Sequence, residues 1–228
     1  MGQGMDEDIQ HSGRRRGRPA SAGDMAVDEA ACLHAALSAF AEHGFEGTSV
    51  RELARTLGIS HGLLGAKFGS KRALWEAAVR HGMDLLHAHM SGLPGDPGGD
   101  GDIVERMRAA CRSFVVGLAE VPAIIQLMNV EGARAGDRLT FIANSFFRGR
   151  VWPIQSLLVE GQKAGVFRAV PVAVPFTLLA HGAGALIALR PLVEATGAGP
   201  RPTGANPLAH AMAAADLIVQ GLIADAGG

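Results

Sequence analysis

Apolar positions along this chain recur mostly at steps of three and four, which puts them on helical faces rather than on the alternating faces of strands. The helical pattern begins near Val27, and Ala30, Leu33, Leu37, Phe40 and Ala41 form one stripe. Asp28 and Glu29 suit the positive end of that helix, and His43-Gly44 supplies its stop. Ser49-Val50-Arg51-Glu52 then reads as a capping box, in which the Ser49 hydroxyl accepts from a first-turn amide and Glu52 reaches back. Val50, Leu53, Ala54 and Leu57 make the inner face of this second helix. Gly58 permits a sharp turn, and Ser60 caps a short third helix ending at Phe68, with Ile59, Leu64 and Phe68 inward. Gly69-Ser70 restarts the chain into a longer helix, Lys71 to Met90.

The second half is also helical. Residues 91–101, SGLPGDPGGDG, are too rich in Gly and Pro for a helix and read as a loop. Asp102 and Glu105 start a helix over about 103–120, and Pro122 opens another that ends near Gly136. An apolar segment over about 138–164 contains Pro153, which kinks it or splits it near Val151, and Gly165 closes it. One charge-poor helix is expected over 173–195, a Gly/Pro loop over 197–207, and a last amphipathic helix to about Ala224. The expected fold is all-α: an N-terminal three-helix helix-turn-helix domain plus a C-terminal helical domain. The divisions are 1–24, a disordered basic arm rich in Gly, Ser and charge; 25–72, the helix-turn-helix domain; and 73–228, the remainder.

Composition adjusts this picture in three places. The net charge of −1 over 228 residues does not by itself suggest nucleic acid, but its distribution does. Residues 11–75 hold nine Lys/Arg against six Asp/Glu, whereas residues 76–228 are nearly balanced. Cys32 and Cys111 imply no disulfide framework, and the acidic start lacks the pattern of a secretion signal, so a cytoplasmic location is expected. Residues 169–189 carry no charge, about the length of a membrane span. Pro171, Pro175, His181, Gly182 and Gly184 interrupt them, so a buried core or interface helix is the expected form and no membrane partner is implied.

Two helices joined by a tight Gly turn and braced by a preceding helix present one helix to the DNA major groove. Here the outward residues of that helix are Ser60, His61, Leu63, Gly65, Ala66 and Lys67. The run FAEHGFEGTSVRELARTLGISHGLLGAKFGSKRALW resembles the DNA-binding domain of TetR-family regulators. The matching features are Phe40, Gly44-Phe45, Thr48-Ser49, Leu53-Ala54, Gly58-Ile59-Ser60, Gly62, Phe68, Ser70-Lys71 and Leu74.

The resemblance implies an all-helical homodimer whose third helix reads bases, while Thr48, as cap of the second helix, and Lys71 contact phosphates. The DNA-contact set is therefore Thr48, Ser49, Ser60, His61, Gly62, Leu63, Lys67 and Lys71, joined by Arg14, Arg15, Arg16 and Arg18 of the arm. Arg-Gly-Arg-Pro in that arm resembles AT-hook peptides, which fit a narrow A·T minor groove; a solvated tail giving nonspecific attraction is the alternative. The chain departs from the family at Gly65, where an aromatic is usual, and at Ala66. Direct readout then rests on His61, Leu63 and Lys67.

Beyond residue 90 no nucleophile–base pair, phosphate loop or zinc spacing is present, so no enzyme and no cofactor is implied. Large apolar residues interleaved with few polar ones have the composition of a small-molecule site. Helix order in the family points to Phe114, Met128, Trp152, Gln155 and His181 as its lining. The last two helices are the expected dimer surface, with Leu208, Met212, Ala215, Val219 and Leu222 as the stripe on the final one. The expected function is a ligand-responsive transcriptional regulator, a repressor released from a palindromic operator by a small apolar or amphipathic effector. The alternative is a helical small-molecule-binding protein with weak or lost DNA binding.

Overall fold

A computed structural model describes residues 28–91, 101–147, 152–195 and 206–225. The first helix, α1 (Glu29–Gly47), is capped by Asp28, whose carboxylate accepts from the Ala30 amide at 3.0 Å. Gly44 breaks it with φ 69°. Its buried face is Cys32, Leu33, Ala36, Leu37, Phe40 and Ala41. Ala30, expected on that stripe, is exposed because the face is rotated towards Cys32 and Ala36.

Helix α2 (Val50–Thr56) starts at Ser49, whose hydroxyl accepts from the Glu52 amide at 3.3 Å. Only that half of the expected capping box is formed, since the Glu52 carboxylate pairs with Arg55 instead. Gly58 turns the chain at φ 68°, and the Ile59 amide closes on the Ala54 carbonyl at 3.0 Å. Ser60 caps α3 (His61–Phe68) through the Leu63 amide at 3.1 Å. Ser70 caps α4 (Lys71–Met90) through the Ala73 amide at 3.0 Å. Each hydroxyl satisfies an amide that a helix start would otherwise leave without a partner.

The remaining elements are α5 (Ile103–Glu120), α6 (Pro122–Gly132), α7 (Asp137–Phe147), α8 (Pro153–Lys163), α9 (Ala173–Thr177), α10 (Ala185–Ala188), α11 (Arg190–Ala195) and α12 (Pro207–Leu222). Pro122 and Pro153 each occupy a first helical turn, where the missing N–H costs nothing, so Pro153 opens a helix instead of kinking one. The single helix expected over 173–195 is broken. Leu178–Ala183 is a π-helical segment, and the Gly184 amide donates to the Leu179 carbonyl at 2.9 Å. A Cβ at Gly184 would stand 2.2 Å from the Ala180 carbonyl oxygen, so the widened turn depends on glycine.

Helix α5 lies at the centre of the C-terminal helices and packs against α4, α8 and α12. Arg106 of α5, buried, donates to both Glu160 carboxylate oxygens of α8, at 2.7 and 3.3 Å. Burial pushes the Cys111 thiol on α5 up to about 12, and it raises Cys32 as well, so both thiols stay protonated at neutral pH. Of the stripe expected on α12, Ala215, Val219 and Leu222 are buried in their own protomer beside Ala211, while Leu208 and Met212 are half-buried. For Ala215, Val219 and Leu222 the expectation of facing a second copy is corrected, because α5 and the π segment already cover that part of the stripe. The large apolar side chain exposed on α12 is Leu217, at 74% exposure, and Leu178, Leu189 and Leu192 are exposed on the preceding segments. Among the described residues no single helix is long and apolar enough to cross a membrane.

Candidate nucleic-acid interface

Helix α3 is held by one buried side chain and presents the rest outward. Leu64 plugs into the core, Leu63, Gly65 and Phe68 are half-buried, and His61, Gly62, Ala66 and Lys67 are exposed. Seating α3 on α2 through Leu53, Ala54 and Leu64 leaves a short, rigid ridge whose first turn is capped but open to solvent. Such a ridge has the size and exposure to enter a DNA major groove. It carries one Lys or Arg, Lys67, and that ammonium lies 2.9 Å from the Glu29 carboxylate at the start of α1.

The other expected contact residues divide by environment. Ser49 and Ser60 lie exposed at the starts of α2 and α3. Thr48 is only 4% exposed, and its hydroxyl donates to the α1 carbonyls of Gly44 at 2.7 Å and Ala39 at 3.1 Å. It locks the end of α1 and does not cap α2; Ser49 does. The expected part of Thr48 as the cap of the second helix is corrected on that ground. Lys71 is half-buried, and its ammonium donates to the Glu46 carbonyl at 3.1 Å while lying 5.0 Å from the centre of the Phe45 ring. Arg14, Arg15, Arg16 and Arg18 lie outside the described residues.

Phe45 marks a junction between this head and the C-terminal helices. Its ring stacks on Phe40 at 5.9 Å and meets the edge of Trp75 at 6.2 Å. Arg138 of α7 lies 4.9 Å from the same ring centre, donates to Glu131 of α6 at 2.8 Å and approaches Glu46 of α1 at 3.5 Å. The end of α1 is thereby clasped to α6 and α7, which lie far from it in sequence. A second close approach lies deeper, where Gly82 of α4 meets Leu37 of α1 and Ile124 of α6. No local pattern could mark Arg138, Glu46 or Glu29 as partners, because each contact is set by helix packing. The only trace was Phe45, visible as part of the Gly44-Phe45 match.

The expected effector residues are only partly assembled. Phe114 and Trp152 are buried with ring centres 6.3 Å apart. Phe146 stacks on Trp152 at 4.3 Å, Phe176 lies 6.0 Å from Phe114, and His87 meets Trp152 edge-on at 5.6 Å. The Trp152 indole N–H donates to the Phe146 carbonyl at 2.7 Å, which satisfies its one donor. Met128 packs half-buried at the margin of the core on α6. Gln155 and His181 are exposed and do not join the aromatic nest. Their expected place in its lining is corrected: the faces of α8 and of the π segment that carry them turn outward in the protomer.

Comparison with known proteins agrees with this geometry. Residues 33–78 match the family model of bacterial regulatory proteins, tetR family. Over 53 residues the chain is 43% identical to the uncharacterised HTH-type transcriptional regulator YezE of Bacillus subtilis (strain 168), covering 23% of this chain and 27% of that protein. The match thus spans about a quarter of that relative. Among solved structures, the hemolysin II transcriptional regulator HlyIIR superposes with a TM-score of 0.57 at 19% identity, covering 85% of this chain and 96% of that one. The fatty acid degradation regulator FadR from Bacillus halodurans gives 0.60 at 16% identity, covering 84% and 94%. AibR, solved with isovaleryl coenzyme A and operator DNA, gives 0.60 at 22% identity, covering 84% and 96%. At these identities the structural likeness shows the fold.

Proposed function

We propose that the chain, whose residues 33–78 match the TetR-family model, is a ligand-responsive DNA-binding transcriptional regulator. The observation that carries the reading is α3, which buries Leu64 and offers His61, Gly62, Ala66 and Lys67 to solvent beside two capped helix starts. Ser49, Ser60, His61, Gly62, Leu63, Lys67 and Lys71 are its DNA-facing residues, and the arm at Arg14–Arg18 adds charge. The protein acts as a homodimer that joins through the segments around Leu178–Leu192 and Leu217, whose exposed leucines need cover. A twofold dimer calls for a palindromic operator with half-sites about one or more DNA turns apart.

The regulator is a repressor released by a small apolar or amphipathic effector held near the Phe114–Trp152 nest. Support comes from the similar fold of AibR, which was solved with isovaleryl coenzyme A and operator DNA. Helix α4 belongs to both units, so an effector that prefers one tilt of α4 changes the spacing of the two α3 helices. A preference of a few kcal/mol for the DNA-incompetent dimer is enough. Selection of bound duplexes from a random pool, followed by a thermal-shift screen for effectors, tests the reading. Enrichment of a palindrome whose binding a stabilising ligand weakens is expected; identical operator affinity with and without every stabilising ligand refutes the release mechanism.

A second reading has one observation in its favour. Nothing lies within 4 Å of the position a Gly65 side chain would occupy, so α3 lacks the ring that its surface has room for. A small-molecule-binding protein that has lost DNA binding fits that bareness. It is distinguished by showing no salt-dependent binding of duplex DNA.

A further inference from the structure

The charge on α3 is not free. Lys67 is its only Lys or Arg, and its ammonium sits 2.9 Å from the Glu29 carboxylate. The pair joins two helix ends of complementary character. Glu29 lies in the first turn of α1, where the helix dipole favours an anion, and Lys67 lies in the last turn of α3, where it favours a cation. Both side chains keep solvent access, 33% for Lys67 and 60% for Glu29. An exposed pair of this kind is worth little in free energy and exchanges readily for a stronger partner. A DNA phosphate approaching the end of α3 is such a partner, yet it must approach past a carboxylate of its own sign.

We infer that Glu29 is a specificity-determining residue for DNA, acting as a counter-charge that withholds Lys67 from loosely docked duplex. In a nonspecific complex the phosphates stay hydrated and distant, so exchanging Glu29 for phosphate gains little and repulsion from the carboxylate remains. In a fully docked complex the phosphate meets Lys67 directly and the exchange is favourable. Glu29 therefore lowers affinity for random sequence more than affinity for the operator, and the specificity ratio rises. Where α3 offers few base contacts, suppression of nonspecific attraction is a second route to discrimination. The inference rests on the proposed DNA-binding function.

The test uses the full-length chain and four proteins: wild type, Glu29→Gln, Lys67→Met and the double variant. Binding to the selected operator and to a scrambled duplex of equal length is measured across a salt series, with thermal melts to check that each variant is folded. Glu29→Gln is expected to tighten binding to scrambled duplex about three- to tenfold and to tighten operator binding less. Its slope of log affinity against log salt on scrambled duplex should steepen by about one phosphate contact. In the Lys67→Met background the Glu29→Gln gain should vanish. Unchanged scrambled-duplex binding by Glu29→Gln overturns the inference, as does an equal gain without Lys67, which would be general repulsion. A wild-type chain that binds neither duplex removes the DNA-binding function itself, whereas a wild type that binds normally beside a silent Glu29→Gln removes this inference alone.

Discussion

Adding one methyl group at Gly82 tests how the head is joined to the rest of the molecule. A Cβ there would stand 2.6 Å from Leu37 Cδ2, 3.3 Å from Ile124 Cδ1 and 3.5 Å from Val121 Cγ1. Gly82 is helical and buried, so Gly82→Ala gains about 1 kcal/mol of helix propensity. Against that, Leu37 must move by roughly 1 Å to reach ordinary contact, and it is fully buried between α1 and its neighbours. Overpacking of this kind costs about 1–3 kcal/mol. The net expectation is a loss of about 1 kcal/mol, seen as a lower urea midpoint with an unchanged slope and a Tm about 2–4 °C lower. Leu37→Ala in the same background removes the clash, so the two changes together should cost about 2 kcal/mol less than their sum. A Gly82→Ala protein that gains the full propensity term, with additive behaviour alongside Leu37→Ala, would refute the close approach of α1, α4 and α6.

Two further substitutions probe the head directly. Gly65→Ala meets open space and ordinary helical geometry, so it should stabilise the protein by up to about 1 kcal/mol, read as a higher melting temperature; a loss would show that α3 is not a regular helix there. Arg138→Ala leaves Glu131, 8% exposed, without its 2.8 Å partner and should cost about 2 kcal/mol in chemical denaturation. Adding Glu131→Gln should recover part of that loss, because the stranded carboxylate is then gone; no recovery would refute the pairing as the cause.

The parts of the fold that follow from neighbouring residues were legible in the sequence. Ser49, Ser60, Ser70 and Asp102 cap helices, and Pro122 and Pro153 open them, because these effects act within one turn. The segment 173–195 was not legible as a broken helix. Its π turn depends on Gly184 fitting against Ala180 and Leu118, and the fit to Leu118 is tertiary. The stripe on α12 was visible, but an apolar stripe looks the same whether it faces its own core or a second copy. At the candidate site, exposure of His61 and Gly62 follows from the inward set around Leu64. The engagement of Thr48 with α1 and of Lys67 with Glu29 does not, since both depend on how separate elements meet.

The contact between α1, α4 and α6 at Gly82 bears on how such a protein can be recombined. Leu37 and Trp75 are fully buried where they are, and Phe40 nearly so. A graft that moves residues 28–78 alone onto a foreign effector domain strips cover from that apolar surface, and it parts Arg138 from Glu46 and Phe45. A transplantable head would have to carry the packing faces of α6 and α7 with it. By the same reasoning, substitutions at Leu37, Gly82 and Ile124 should tolerate exchange only as a matched set, which makes this junction, more than α3, the point where the chain resists being rebuilt from parts.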